Sequence, residues 1–315
     1  MNYRHAYHAG NFADVLKHVV LLALVESLKA KPTPFALIDT HAGSGCYALD
    51  SVEAGKTGEW RDGIGRLLFP DLHGGDAGNA ALPPLLRRWL DSILALPGNE
   101  QGLKLYPGSP IQAANAMREH DSAYLCELHP EEADRLRELF RRDPRMHVHA
   151  RDGYAALKGL LPPKEKRGLV LIDPPYEAQE AEYDAIDKAL KEAIQRWPGG
   201  VYAVWYPIKL RSQVQPFLRD LRHRGAKRVL RAELLVHPDD SPLRLNGTGM
   251  VVLNAPWKLD EVLREPLRAM ARLLSQDRPA TWTLDWLLQD GEDASAPARP
   301  PVAPASPSGP QRHRR

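Results

Sequence analysis

Apolar positions along the chain fall into two rhythms. Short aliphatic and β-branched runs, the mark of strands buried on both faces, alternate with stretches in which apolar residues recur every three or four positions, as on an amphipathic helix. Strands are predicted at 35–41, 122–129, 147–152, 168–173, 200–206, 228–236 and 250–254. Their alternation with helical segments specifies an α/β fold: a seven-stranded, mostly parallel sheet with helices on both faces.

The first helix is expected over 12–29, with Asn11 as its N-cap and an apolar stripe of Val15, Leu16, Val19, Val20, Ala23 and Leu24. Asp14, Lys17 and His18 share its polar edge, spaced to serve a ligand together. Between Ala48 and Lys104 the strand–helix rhythm breaks into turn-rich sequence such as HGGDAGN and one helical stretch, 81–96, that no strand follows. Residues 50–104 are therefore read as a helical insertion, with 1–49 and 105–288 forming the main domain and 1–11 an N-terminal arm. From Gln289 onward the chain is rich in Pro, Ala and Ser with almost nothing to bury, so 289–315 is expected to be a disordered tail.

The composition, 43% hydrophobic and 26% charged over 315 residues, is that of a soluble globular protein. No apolar run reaches the ~18 residues of a membrane span, and the N-terminal sequence lacks the pattern of a secretory signal, so the cytoplasm is the expected location. Cys46 and Cys126 read as interior residues, and no Cys or His cluster has the spacing of metal ligands. The net charge of +2 is small but unevenly spread. Lys209, Arg211, Arg219, Arg222, Arg224, Lys227, Arg228 and Arg231 share their segment with a single acid, Asp220. That segment is either a phosphate-facing surface or a helix face balanced by acids elsewhere in the fold.

Candidate chemistry lies at the strand ends. FALIDTHAGSGCYAL is an apolar strand entering a loop where Gly43 and Gly45 permit a tight turn and close backbone approach to a ligand. The next strand ends at Glu127, an acid where such folds bind ribose hydroxyls. Its distance from Gly45 far exceeds the usual ~20 residues unless the insertion is removed. The YPGSP segment suits Ser109 to N-cap a helix whose free N–H groups would hold a carboxylate, such as that on the methionine half of S-adenosylmethionine. Asp152 and Gly153 close another strand and can offer a carboxylate and an N–H to an adenine edge. In an open α/β sheet the carboxyl ends face one crevice, so Asp39, His41, Glu127, Asp152, Gly153 and Asp173 are expected to converge.

The sharpest motif is Asp173-Pro174-Pro175-Tyr176, which ends the strand GLVLI. The prolines fix the backbone and leave carbonyl oxygens free to accept hydrogen bonds. An exocyclic base amino group has its lone pair delocalised into the ring. Hydrogen bonds from its hydrogens to the Asp173 carboxylate and the Pro174 carbonyl favour a more nucleophilic, tetrahedral nitrogen. Tyr176 is expected to stack on the extruded base, contributing ~1 to 3 kcal/mol. The motif thus points to in-line methyl transfer from S-adenosylmethionine to a base amino group, governed by positioning and electrostatics, the proton passing to Asp173 or to water.

The blocks YRHAYHAGNFADVLKH, DTHAGSG, YPGSP, ELHP, RDG, LIDPPYE, VYAVWYPI and GMVVLNAPWKL resemble, in order, the RlmJ family of bacterial 23S ribosomal RNA adenine-N6 methyltransferases. The resemblance spans residues 2 to about 288. It implies a Rossmann-like class I S-adenosylmethionine-dependent methyltransferase fold with a small helical insertion, acting as a monomer on free or early-precursor 23S ribosomal RNA. It further implies cofactor contacts from His18, His41, Ser109, Glu127, Asp152, Gly153 and Asp173, the last being catalytic. Tyr3 would contact RNA, and His5 and Lys17 belong to the same block. Rival readings are a DNA adenine-N6 methyltransferase, since the motif does not read a 2′-hydroxyl, and a non-catalytic RNA-binding protein. A dinucleotide-dependent oxidoreductase is disfavoured by the missing third glycine.

Overall fold

A computed structural model describes residues 4–69, 81–238, 245–276 and 278–292. In chain order its elements are α1 (Phe12–Lys29), β1 (Ala36–Asp39), β2 (Cys46–Ala48), α2 (Val52–Thr57), α3 (Arg66–Leu68), α4 (Pro84–Leu94), β3 (Leu105–Pro107), α5 (Ser109–Ala116), β4 (Ser122–Glu127), α6 (Pro130–Leu139) and β5 (Met146–Ala150). There follow α7 (Gly153–Leu160), β6 (Gly168–Ile172), α8 (Gln179–Arg196), β7 (Val201–Ile208), α9 (Arg211–Leu221), β8 (Val229–Leu235), β9 (Gly247–Leu253), α10 (Leu259–Leu273) and β10 (Thr281–Leu288). Tyr3, the HGGDAGN turn and residues 293–315 of the expected tail lie outside the described residues.

The main sheet runs β10-β8-β9-β7-β6-β1-β4-β5. The five strands from β7 to β5 are parallel, whereas β9, β8 and β10 are antiparallel to their neighbours. The sheet has eight strands rather than the expected seven. The eighth is β10, whose TWTLDW alternation is that of an edge strand, and its half-buried side chains give it no aliphatic run to notice.

Strand alternation divides the core. Leu37, Leu169 and Leu171 face a cluster shared with α1, α4, α5 and α10, while Ile38, Val170 and Ile172 face one shared with α7, α8 and α9. Helix α1 begins as predicted: the Asn11 side chain accepts from the Ala13 and Asp14 N–H groups. Within 50–104, Ile64, Leu86, Trp89 and Ile93 are buried in the cluster that holds α1. The short β2–β3 ladder, Cys46 opposite Pro107, brings the two ends of that segment together. No helix among the described residues is long and apolar enough to cross a membrane.

Part of the basic segment is balanced within the fold. Arg211 pairs with the buried Glu233 at 2.7 Å, Arg231 with Asp285 at 2.7 Å, and Arg224 with Asp187. The acids come from α8, β8 and β10, the balance from elsewhere in the fold that is one of the two readings of this segment.

Candidate active site

Four acids lie at or just beyond the carboxyl ends of β1, β4, β5 and β6, where a crevice opens in an α/β sheet. The loop after β1 turns through Gly43 (φ 61°) and Gly45 (φ 82°), left-handed conformations that glycine adopts without steric cost. This turn aims the Gly43 N–H at Glu127, whose carboxylate accepts from Gly43 (2.8 Å) and from the His129 N–H (2.7 Å). Each oxygen keeps a further lone pair for a ligand hydroxyl. Asp152 caps α7 by accepting from the Ala155 N–H, and Gly153 packs so tightly on Thr40 that a Cβ there would sit 2.0 Å from the Thr40 carbonyl oxygen.

A cavity of about 360 Å³ opens between these strand ends. All seven residues expected to contact the cofactor line it: His18, His41, Ser109, Glu127, Asp152, Gly153 and Asp173, with Pro174 beside them. Two expectations need correction. Ser109 is not the cap of α5, which is Gly108. The Ser109 hydroxyl instead donates to Asp39 at 2.6 Å, since the helix begins one residue earlier than the serine pattern suggests. Asp39 does not face the crevice either: it is fully buried beneath it, holding Ser109 and the His41 N–H, and burial pushes its carboxyl up to about 6. Burial also drives His41 down to about 4, so its imidazole is neutral at neutral pH. His18 is likewise held well below its usual range by burial. Its Nδ1 meets the Tyr106 hydroxyl at 2.7 Å, while its buried Nε2 has no partner among the described residues.

A second cavity, about 510 Å³, lies on the other side of Asp173. His5, Lys17, Asp173 and Pro175 line both cavities and form the wall between them. Lys17, on the polar helix edge, lines both cavities yet is almost wholly buried. Its side chain is 5% exposed, and its ammonium lies 2.7 Å from Asp14 and 2.5 Å from Asp173 Oδ2. Burial alone would depress it, but the two carboxylates raise its pKa, so the charge is kept. Asp14 is held well below the carboxylate range against the effect of burial, by His5 and Lys17.

Tyr176 also departs from expectation. The chain takes φ 49° at this residue, and the ring, 6% exposed, packs edge-on to Tyr183 and Trp205 with its hydroxyl donating to the Trp205 carbonyl at 2.6 Å. It forms part of the second cavity's wall rather than a free stacking platform. The half-buried Trp205 lines the same cavity, oriented by a bond from its Nε1 to the Thr248 hydroxyl (2.8 Å). The WYP run could have pointed to it, but it reads first as strand. Glu59, which accepts from Asn11 (2.9 Å) and meets His8 (3.0 Å), also lines this cavity and went unnoticed within the turn-rich segment.

A family model described as Ribosomal RNA large subunit methyltransferase D, RlmJ, matches residues 32–288. The chain is 41% identical over 287 residues to the Ribosomal RNA large subunit methyltransferase J of Haemophilus influenzae, covering 91% of this chain and 99% of that protein. It is 40% identical over 290 residues to the Escherichia coli protein of the same name, covering 92% and 100%. The crystal structure of a Legionella pneumophila protein is similar with a TM-score of 0.78 and 35% identity, over 88% of this chain and 98% of that one. With a match of this extent, and with the RlmJ-type motifs gathered around one crevice, the chain belongs to the RlmJ family of ribosomal RNA large subunit methyltransferases.

Proposed function

We propose that this protein methylates the N6 amino group of an adenine in 23S ribosomal RNA, the methyl donor occupying the first cavity and the flipped base the second. The observation that carries this reading is the shared wall: Asp173, at the end of β6, lines both cavities, so a donor and an acceptor bound on either side would meet at its carboxylate.

S-adenosylmethionine fits the first cavity and, when bound, supplies an electrophilic methyl group on a sulfonium. The buried Nε2 of His18 is a polar atom with no partner among the described residues, Glu127 offers pinned carboxylate oxygens to hydroxyls, and Gly153, packed against the Thr40 backbone, leaves no side chain in the cavity wall there. On the other side, Lys17 occupies Asp173 Oδ2 and leaves Oδ1 to accept an N6 hydrogen. That bond, with a second to the Pro174 carbonyl if the amino group reaches through the wall to the first-cavity side where Pro174 lies, turns the nitrogen lone pair out of the ring plane. The C–S bond breaks as the C–N bond forms, and the amino group then loses one proton to Asp173 or to water. Trp205 offers the aromatic surface against which the base rests.

Thr57, Glu59 and Asp62 of the 50–104 segment line the second cavity, which supports reading that insertion as part of the RNA side. We read the working unit as a monomer. We place the reaction in the cytoplasm, on protein-free or early-precursor RNA.

The test is methylation of three substrates by the purified protein: protein-free 23S ribosomal RNA, assembled large subunits and a DNA duplex. Transfer to the first, with N6-methyladenosine as product, is expected. Transfer to the DNA alone would overturn the RNA reading, and full activity of Asp173→Ala would overturn the chemistry.

A further inference from the structure

Asp14 joins two parts of the wall, His5 and Lys17, and no step above uses it. It lies in the first turn of α1, 2% exposed. Its Oδ2 accepts from the Gly10 N–H at 2.9 Å and meets His5 Nε2 at 2.9 Å, and its Oδ1 meets Lys17 Nζ at 2.7 Å. Lys17 Nζ in turn reaches Asp173 Oδ2 at 2.5 Å. A row of contacts, His5–Asp14–Lys17–Asp173, thus runs from the N-terminal arm to the motif at the end of β6.

The physical need for such a residue follows from lysine itself. Its ammonium is a point charge with three rotatable donors on a flexible stem, so contact with Asp173 alone fixes neither partner's direction. Asp14, three residues earlier on the same helix, anchors one donor. It is itself anchored by the Gly10 N–H, in a turn (φ 78°) that favours glycine. With one donor tied, Lys17 can approach Asp173 over a narrow range of angles, and so the direction of the other oxygen, Oδ1, is set. A merely structural acid in the first turn would act through the helix dipole, which requires none of these contacts.

We infer that Asp14 is a positioning residue for methyl transfer: it fixes Lys17 on Asp173 Oδ2 so that Oδ1 is presented to the substrate amino group, and through His5 and Gly10 it ties that setting to the N-terminal arm. This rests on the function proposed above.

The test is a double-mutant cycle on the full chain, read as single-turnover methylation of protein-free 23S ribosomal RNA at saturating S-adenosylmethionine. Asp14→Asn is expected to slow transfer by roughly 10- to 100-fold, the size of a misplacement near 1 Å, while the Kd for S-adenosylmethionine moves by less than about 3-fold. On a Lys17→Met background the same substitution should change the rate by less than about 3-fold, because the partner through which Asp14 acts is gone. Equal fold-losses in both backgrounds, or an Asp14→Asn rate within about 2-fold of the parent, overturn the inference. Asp14→Glu keeps the charge, is expected to recover part of the lost rate, and replaces the asparagine variant in the cycle if that variant does not fold. Asp173→Asn, assayed alongside, separates the two readings. If it retains full activity, the proposed chemistry fails; if it is inactive while Asp14→Asn is unimpaired, the role of Asp14 alone fails.

Discussion

Alanine at Gly153 adds one methyl group to the wall of the first cavity. Its Cβ would lie 2.0 Å from the Thr40 carbonyl oxygen and 2.7 Å from the Thr40 carbonyl carbon. A carbon–oxygen contact settles near 3.3 Å, so the two backbones must part by more than about 1 Å. Neither is free to move. Thr40 donates its N–H to the Leu171 carbonyl at 3.0 Å, and Gly153 opens a helix capped by Asp152. Overpacking of this kind costs about 1 to 3 kcal/mol. The displaced groups, Thr40 with His41 and Asp152 with Gly153, are themselves cavity lining, so the strain acts on binding as well as on stability. If expressed wholly in binding, it raises the Kd for S-adenosylmethionine roughly 5- to 150-fold; expressed in folding, it lowers Tm by several degrees. Calorimetric titration with S-adenosylmethionine and a thermal melt of Gly153→Ala measure the two shares. A Kd within about 2-fold of the parent together with a Tm within about 1 °C would refute the close-packing argument.

Glu127→Gln replaces an oxygen that accepts an N–H with an amide nitrogen that opposes one. Loss of a charge-assisted bond, about 1.5 to 3 kcal/mol, should weaken S-adenosylmethionine binding roughly 10- to 150-fold by calorimetry, and unchanged affinity would contradict the role given to Glu127. For pH, burial takes His41 from 6.5 to about 4, so the unfolded chain takes up this proton first as pH falls. The stability tied to His41 is complete above pH 6.5 and is lost as pH drops towards 4. Asp39, raised by burial from 3.8 to about 6, works in the opposite sense, its contribution being full below 3.8 and lost as pH rises through 6. Urea unfolding between pH 4 and 7 should show His41→Gln losing stability towards acid less steeply than the parent, by up to ~1.4 kcal/mol per pH unit, whereas parallel profiles would contradict the burial argument.

Much of this was readable from the chain because strands buried on both faces announce themselves as aliphatic runs. GLVLI and the strand entering DTHAGSG are found where expected, and the acids that follow them meet at one crevice. What the chain concealed depends on tertiary pairing. Lys17 and Asp14 look like a polar helix edge, yet α1 turns that edge inward, and their charges are met by Asp173, from a strand far along the chain, and by His5 of the N-terminal arm. For the same reason the basic segment 209–231 left open whether acids elsewhere balance it, and Glu233, Asp285 and Asp187 do so for three of its arginines. Tyr176 was misjudged because a left-handed turn after two prolines cannot be seen in the letters, and that turn sends the ring into the core. Asp39 and Glu127 read alike as acids ending strands; only burial distinguishes the one that supports the crevice from the one that lines it.

The most direct test of the central claim, that Asp173 stands between a methyl donor and an adenine of 23S ribosomal RNA, is nucleoside mass spectrometry on that RNA from cells lacking this protein. N6-methyladenosine should fall in those cells, recover when the parent chain is supplied, and stay low with an equal amount of Asp173→Ala. An undiminished signal in the deleted cells, or full recovery with the variant, would contradict it.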